Sequence, residues 1–290
     1  MPEPRAAGDA GRVLVIQPSR GLVGIDFAEL WRFRELMWFL ALRDVKVRYR
    51  QAALGIAWAV LQPLLTMVVF SALFGLLMGA GARPTVAGVP YSISTYCALV
   101  PWLLFATSLN LSSNSLIQNQ ALVTKVYFPR LVLPIAPTIA ALVDFAVAFA
   151  VLLLMMLWYG LAPGPGIACL PVFVLLALVS ALSLSAWLSA LNVLYRDVRH
   201  ALPFVVQIGF FVTPCVYTTN SLLDGQPAWI HAVYALNPMV SVVEGFRWAL
   251  LGAPPPHPAA LAASALVAGV LLAGGALCFR RLEQTFADVA

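Results

Sequence analysis

The chain alternates long apolar runs with short polar or basic segments. Residues 51–82, 84–124, 145–195 and 248–279 contain no Asp, Glu, Lys or Arg. A helix needs about 20 apolar residues to cross the hydrocarbon core of a bilayer, so each run is long enough for at least one span. The pattern predicts six transmembrane helices, at about 56–78, 91–111, 131–159, 167–191, 201–218 and 258–277.

The region before the last predicted span does not fit a simple crossing. Residues 220–252 are apolar overall but are interrupted by Asn237–Pro238, Glu244 and Arg247. Non-helical backbone at membrane depth is tolerated only where protein or a water-filled cavity covers it. We therefore expect short re-entrant or interfacial helices here, between the fifth and sixth spans.

The first 50 residues are basic rather than continuously apolar. Residues 1–26 resemble a loose tail, whereas residues 27–50 mix aromatic and aliphatic side chains with basic ones at helical spacing. Such a segment favours an amphipathic helix in the headgroup plane, and a cytosolic helix packed on a partner is the alternative. Residues 51–290 then form the transmembrane domain.

Composition supports an all-α membrane protein. Of the residues, 62% are hydrophobic and 10% are charged, whereas a soluble domain carries about 25% charged residues. Fifteen of the 17 Lys and Arg residues lie in the N-terminal region, the 112–130 and 195–200 loops and the C-terminal tail. The positive-inside rule then places both termini in the cytoplasm, and this distribution indicates a membrane flank rather than a nucleic-acid partner.

The sequence lacks the motifs of most catalytic chemistries. Its two lysines lie outside any GxxxxGK[ST] loop, its three histidines have no metal-ligand spacing, and no GxSxG motif occurs. Asp144 is the single acid inside a predicted span, and we expect it to face protein rather than lipid. Proton-coupled carriers usually need several intramembrane ionisable groups. We therefore expect no catalytic residue, no metal site and an external energy source.

Five segments carry a resemblance to a known family. They are LWRFRELMWFLALRDVKVRYRQAALGIAWAVLQPLL (30–65), LVTKVYFPRLVLP (122–134), NVLYRDVRH (192–200), LNPMVSVVEGFRWALLG (236–252) and RRLEQTFADV (280–289). Together they resemble the membrane-spanning subunit of ABC-2 type transporters, most closely the polysaccharide and polyol-phosphate export branch. That branch includes O-antigen, capsule and teichoic-acid permeases, and the resemblance covers nearly the whole chain.

The resemblance implies how the chain works with other molecules. It implies a homodimer in the bacterial inner membrane, joined by two copies of a separate ATPase subunit that binds ATP and Mg²⁺, so that this chain itself holds no cofactor. It implies export of a lipid-linked glycan such as an undecaprenyl-diphosphate-linked O-antigen. It also implies a cytoplasmic coupling helix at about 118–130, where polar and large apolar side chains alternate and Pro129 is a stop signal. Between the fifth and sixth spans it implies short periplasmic helices, at about 220–252.

Candidate site residues fall into four groups. The residues expected to couple to the ATPase are Leu122, Lys125, Tyr127, Phe128 and Arg130. Paired cations suit phosphate oxygens, so the residues expected at a lipid diphosphate or headgroup are Lys46, Arg48 and Arg50, with simple anchoring to anionic lipid as the alternative. The aromatic residues expected along a sugar path, unless they form an interface belt, are Tyr91, Tyr96, Trp102, Phe105, Phe210 and Tyr217. Glu244 and Arg247, three residues apart, are expected to pair with each other or across the dimer near the outer gate.

Other functions remain open at this stage. An ABC-2 exporter of a drug or a small lipo-oligosaccharide would have the same spans and the same partner. A secondary carrier is disfavoured by the single buried acid. A membrane-embedded glycosyltransferase would need clustered Asp, Glu or His at one membrane face, and the sequence contains no such cluster.

Overall fold

The computed structural model describes residues 27–50, 55, 57–78, 86, 88–195 and 197–283. These residues form helices and turns without a β-strand, which confirms the all-α prediction for the described part of the chain. The tail predicted at 1–26 and the residue Arg83 lie outside the described residues.

The helices follow one another with short connections. In chain order they are α1 (Phe27–Arg32), α2 (Arg34–Arg50), α3 (Ala57–Met78), α4 (Tyr91–Gln118), α5 (Gln120–Lys125), α6 (Val132–Trp158), α7 (Leu170–Leu194), α8 (Asp197–Val212), α9 (Thr219–Leu223), α10 (Ala228–Ala235), α11 (Pro238–Leu251) and α12 (Pro258–Glu283). A 3-10 turn, Pro165–Cys169, precedes α7.

Five of the described helices are long and apolar enough to cross a membrane, namely α3, α4, α6, α7 with its preceding turn, and α12. The chain is therefore a multi-pass membrane protein. The six-span count is not confirmed, because the fifth predicted span corresponds to α8, which has 16 residues and rises about 24 Å, less than the roughly 30 Å hydrocarbon core. α8 ends at Val212 because Thr213 precedes Pro214, and a residue before proline disfavours helical geometry.

α4 continues through a segment that the sequence predicts to be a polar loop. Residues 112–118 stay helical because protein covers most of them and some of their polar groups bond inside it: Ser112 Oγ lies 2.9 Å from Thr138 Oγ1 of α6, and Asn114 Nδ2 donates to the Asn110 carbonyl at 2.7 Å. The helix predicted at 118–130 is consequently reduced to the six residues of α5.

α4 is the most buried of the membrane-length helices, although it is the least apolar. The apolar stretch of α4 has a mean hydropathy of 1.4, and 83% of it is buried inside the chain. The apolar stretch of α6 has a mean hydropathy of 2.6, and 28% of it is buried. In lipid the apolar side chains are the ones that tolerate exposure, and helices associate through close packing and polar contacts. α4 therefore forms the centre on which α6, α7, α3 and α11 pack.

A second apolar cluster joins the parts of the chain that carry most of the basic residues, and we call this side of the molecule the basic end. Leu40 and Ala41 of α2 lie against Val132, Leu133, Ala136 and Ala140 of α6 and other residues of this cluster, which also includes Val123, Phe128, Ala190 and Phe279. α2 is therefore packed along α6, and its position in the headgroup plane stays a prediction.

α7 and α12 pack closely because α12 has glycines at the contact. Trp187 of α7 donates from Nε1 to the Leu271 carbonyl at 3.0 Å. A Cβ atom on Gly275 would lie 2.8 Å from both the Ser183 carbonyl oxygen and Trp187 Cδ1, whereas a Cβ on Gly269 would meet nothing within 4 Å. Small residues let helix backbones approach in this way.

We predict that Gly275→Ala destabilises the protein, because the added methyl group must displace Trp187 or the backbone of α7. Overpacking of this kind costs about 1–3 kcal/mol. The measurement is thermal unfolding of the purified chain in a mild detergent.

Gly269→Ala is the matched control on the same helix. It adds the same methyl group in open space, and replacing a helical glycine by alanine is worth up to about 1 kcal/mol of stability. We expect its midpoint to stay level or rise. Equal midpoints for the two variants would contradict the close α7–α12 contact.

Candidate coupling and transport surfaces

α5 and the residues after it lie at the basic end. Lys125 and Tyr127 are exposed, with 62% of Tyr127 accessible, whereas Phe128 is only 5% accessible and packs in the basic-end cluster. Leu122 is half-buried against the same cluster. Of the five residues predicted to couple to an ATPase, Lys125 and Tyr127 therefore offer surface to a partner, and Leu122 and Phe128 hold the loop on the bundle.

Arg130 links this loop to the last helix. Its Nη1 donates to the backbone carbonyl of Glu283, and its Nε lies 4.0 Å from Glu283 Oε1. The side chain is mostly buried between these elements. Arg130 thus connects the α5 loop to α12 within the chain, a contact that the sequence does not predict.

The three cations at the C-terminal end of α2 point in different directions. Lys46 and Arg50 are exposed, whereas Arg48 donates from Nη1 to Oδ2 of Asp144 in α6. The expectation that Asp144 faces protein is met, and its partner lies 96 residues earlier in the chain. Sequence reasoning placed Arg48 with the lipid phosphates, and the only hint of the pair was the isolated acid in an apolar span.

The aromatic residues predicted to line a path lie at different depths. Tyr96 is fully buried between α4 and α6, and its hydroxyl points to the Ala148 carbonyl at 3.4 Å, so it belongs to the core. Tyr91 is also buried and donates to the Val216 carbonyl at 2.8 Å. Tyr217 is half-buried, donates to the Phe211 carbonyl at 2.9 Å, and lies 3.0 Å from the Tyr234 hydroxyl.

The remaining aromatic residues form a continuous row across three helices. Phe70 of α3 contacts Phe210 of α8 with ring centroids 5.6 Å apart, and Phe210 in turn lies 6.0 Å from Trp102 of α4. Trp102 and Phe105 are both buried, with ring centroids 5.3 Å apart. α3 also exposes Gln62, about two turns before Phe70, and α8 exposes Gln207, one turn before Phe210, so both helices carry polar as well as aromatic side chains.

Arg247 of α11 holds the turn that follows α8. It is only 4% exposed, and its guanidinium donates to the carbonyls of Tyr217 at 2.9 Å and Cys215 at 3.2 Å. Among the described residues, no ion pair within 4.0 Å joins it to Glu244. The predicted pairing of these two side chains with each other is therefore replaced by a clamp on backbone carbonyls, which a turn without helical bonds requires inside a membrane protein.

A cavity of about 970 Å³ lies beside this clamp. It is bordered by α9, α10 and α11, by the linker 253–257 and by the start of α12, and its polar lining includes Asp224, His231 and Glu244. Burial raises the pKa of the Glu244 carboxyl, and the charge of Arg247 acts in the opposite direction. The linker 253–257 forms one wall of this cavity.

The part of the chain that the structure describes offers no group of three His, Cys, Asp or Glu side chains that could hold a metal ion. Its four cysteines are free thiols.

We predict that Arg247→Gln destabilises the turn after α8. The shorter amide cannot reach both carbonyls, and leaving buried polar groups without partners costs about 1–3 kcal/mol each. The midpoint of thermal unfolding in detergent should fall, and limited proteolysis should cut near residues 213–218.

Arg199→Gln is the control for this change. Arg199 is exposed on α8, and surface substitutions of this kind stay within about 0.5 kcal/mol. A midpoint for Arg247→Gln that equals that of Arg199→Gln would show that the clamp does not stabilise the turn.

Comparison with known proteins identifies the family. Over 260 residues the chain is 32% identical to the O-antigen export system permease protein RfbA of Myxococcus xanthus, in an alignment that covers 90% of this chain and 97% of that protein. It is 26% identical over 214 residues to a protein of the same name from Klebsiella pneumoniae, covering 73% and 79% of the two chains. It is 25% identical over 221 residues to the polysialic acid transport protein KpsM of Escherichia coli, covering 73% and 80%.

The family match extends over most of the membrane-spanning region. Residues 35–251 match the ABC-2 type transporter family, and this range includes α4, α5 and the aromatic row described above. The chain belongs to the ABC-2 type transporter family.

Proposed function

We propose that this chain is the membrane-spanning subunit of an ATP-driven exporter that moves a lipid-linked polysaccharide out of the cytoplasm. The observation that carries the proposal is the alignment with the Myxococcus xanthus O-antigen export permease along nearly the full length of both chains. The polysialic acid transport protein extends the likeness to a second polysaccharide. A lipid-linked glycan of the O-antigen type, carried on undecaprenyl diphosphate, fits this pair of relatives better than a drug.

The energy source in this proposal is a separate ATPase subunit, present in two copies, that binds ATP and Mg²⁺. Support comes from the exposed surface of α5 and the residues after it, where Lys125, Val126 and Tyr127 project from a loop whose Phe128 is buried. A large exposed aromatic beside a cation is the kind of anchor that protein interfaces use. Docking on the basic end makes that end cytoplasmic, in line with the distribution of Lys and Arg.

The proposal places the transport path between two copies of the chain. α3 is the least buried of the membrane-length helices, because only 11% of its apolar stretch is buried inside one chain. It exposes Gln62 and Trp58, and α8 exposes Gln207 and Phe211. Polar side chains on a lipid-facing surface are costly, whereas aromatic and amide groups suit contact with sugars, so a second copy opposite α3 and α8 would enclose a path with Phe210 at its wall.

The same proposal uses α8 as a sixth crossing. Because α7 ends and α8 begins at the basic end, α8 must carry the chain to the opposite end before α9–α11. The turn at 213–218, whose carbonyls accept hydrogen bonds from Arg247, extends this short helix with backbone that protein covers. Both termini then lie in the cytoplasm.

The export function is tested by deleting the gene in its native strain. We expect loss of surface glycan and accumulation of lipid-linked glycan inside the cell, restored by the wild-type chain. Intact surface glycan without accumulation would overturn the proposal, and altered drug susceptibility in that strain would favour a drug exporter. In inverted vesicles, transport that persists when the proton gradient is collapsed at constant ATP would exclude a secondary carrier.

We predict that Tyr127→Asp weakens co-purification of the ATPase subunit by tenfold or more, since anchor residues of an interface contribute about 2 kcal/mol or more. The stability of the isolated chain should not change, because Tyr127 is exposed. Phe128→Ala should instead lower that stability by about 3–5 kcal/mol, because it leaves a cavity in the basic-end cluster.

Tyr159→Asp is the matched control, because Tyr159 is 51% exposed at the other end of α6. It should leave ATPase binding unchanged. If Tyr127→Asp binds the ATPase as well as Tyr159→Asp does, the docking surface lies elsewhere.

A further inference from the structure

The ion pair between Arg48 and Asp144 joins the C-terminal end of α2 to the middle of a membrane-length helix. Asp144 lies 12 residues after Val132, the first residue of α6, which corresponds to about 18 Å along the helix axis. Apart from Glu283, the last residue of α12, it is the only acidic residue in the described part of the five membrane-length helices. A charge at this depth needs a partner in the protein.

The rotation of α2 about its own axis determines which cations face the bundle. Residues four apart share a helix face, whereas residues two apart point in nearly opposite directions. Lys46 and Arg50 are four apart and both exposed, and Arg48 lies between them on the side that meets α6. Arg48 therefore cannot reach Asp144 and join its two neighbours on one phosphate at the same time.

The exposed face of α2 has the composition of a lipid-binding surface. Trp38 and Phe39 are more than half exposed, and Leu42, Lys46 and Arg50 continue the same side of the helix toward its C-terminal end. Aromatic side chains followed by cations are typical of a helix that rests at the boundary of acyl chains and phosphates. The opposite face carries Leu40 and Ala41 in the basic-end cluster.

Two kinds of contact hold this rotation. Leu40 and Ala41 are the buried side chains of α2 and lie in its first half, and the half-buried Val45 extends the apolar contact toward Lys46. Beyond Val45, Arg48 supplies the ion pair with α6. A part-buried ion pair adds little net stability, because desolvation offsets the attraction, but it favours one arrangement of the groups it joins.

We infer that Arg48 is a positioning residue that acts through Asp144, and that Lys46 and Arg50 are the residues that contact lipid phosphate. The ligand class is a phosphate or diphosphate on a lipid, and the inference rests on the proposed function for its identity as the diphosphate of the exported glycan's carrier. Asp144 orients the two cations by holding Arg48 against α6. This assignment replaces the expectation that all three cations bind the phosphate together.

The test measures how much lipid the purified full chain retains in two parallel assays, one with undecaprenyl diphosphate and one with phosphatidylglycerol vesicles. Asp144→Asn and Arg48→Gln should weaken retention by the same factor, about fivefold, comparable to the loss of one cation near a membrane surface. Lys46→Gln and Arg50→Gln should each cause a similar loss with unchanged thermal stability. The exchanged pair Arg48→Asp with Asp144→Arg should recover retention.

A direct phosphate contact by Arg48 gives a different pattern. Asp144→Asn would then leave retention unchanged or raise it, because Arg48 would be released to the ligand, and the exchanged pair would stay defective. Either result would overturn the inference. Asp144→Asn decides the question even if the exchanged pair does not fold.

Loss of stability alone is controlled with Gly275→Ala, which weakens the contact of α12 with Ser183 and Trp187 of α7 and leaves Arg48 and Asp144 unchanged. If Gly275→Ala and Asp144→Asn have similar midpoints but only the latter loses lipid, the loss comes from α2. The two assays also separate the inference from the proposed function. If the wild-type chain retains phosphatidylglycerol but no undecaprenyl diphosphate, the substrate proposal fails, and the variants still test the positioning role with phosphatidylglycerol.

Discussion

A polar side chain inside a membrane-length helix has to be covered by protein, because lipid offers it no hydrogen-bond partner. α4 meets this requirement by standing at the centre of the bundle, where Ser94, Thr95 and Ser108 are buried. Its Ser112 bonds to Thr138 of α6, and the Ser113 carbonyl accepts a hydrogen bond at 3.0 Å from Asn192 of α7. These contacts fix α6 and α7 on either side of α4, and the more apolar helices are left to face lipid. The positions of α2, α5 and α12 follow, because all three pack on α6 or α7.

The existence of the long helices could be predicted from the sequence because hydropathy measures the preference for lipid directly. Their ends could not all be predicted. The polar residues after Leu111 indicate a loop when they are taken alone, but their partners lie 26 and 79 residues away, and a local pattern contains no information about such partners. α8 is the opposite case. Its apolar run suggests a span that continues to 218, yet Pro214 ends the helix early. Arg247 then donates hydrogen bonds to the backbone carbonyls of the turn.

The same limit explains the site residues. The alternation of polar and apolar residues after Gln118 indicates an amphipathic segment, but it does not distinguish side chains that meet the chain itself, such as Phe128, from those left for a partner, such as Tyr127. Arg48 and Arg247 illustrate this for charges. From the sequence, lipid phosphate is the expected partner of Arg48 and an acidic neighbour that of Arg247. In the structure Arg48 pairs with a distant aspartate, and Arg247 bonds to backbone carbonyls. Only the three-dimensional contacts decide between such partners.

The basic end behaves as one connected unit, and this bears on how movement would pass through the protein. Phe128 packs with α2, α6, α7 and α12 residues in a single cluster, Arg130 joins the α5 loop to Glu283, and Arg48 joins α2 to α6. A force applied at Tyr127 by a docked ATPase would therefore reach α2 and α12 together. α3 has few buried residues within the chain, and it lies along the face where the proposed path between two copies runs.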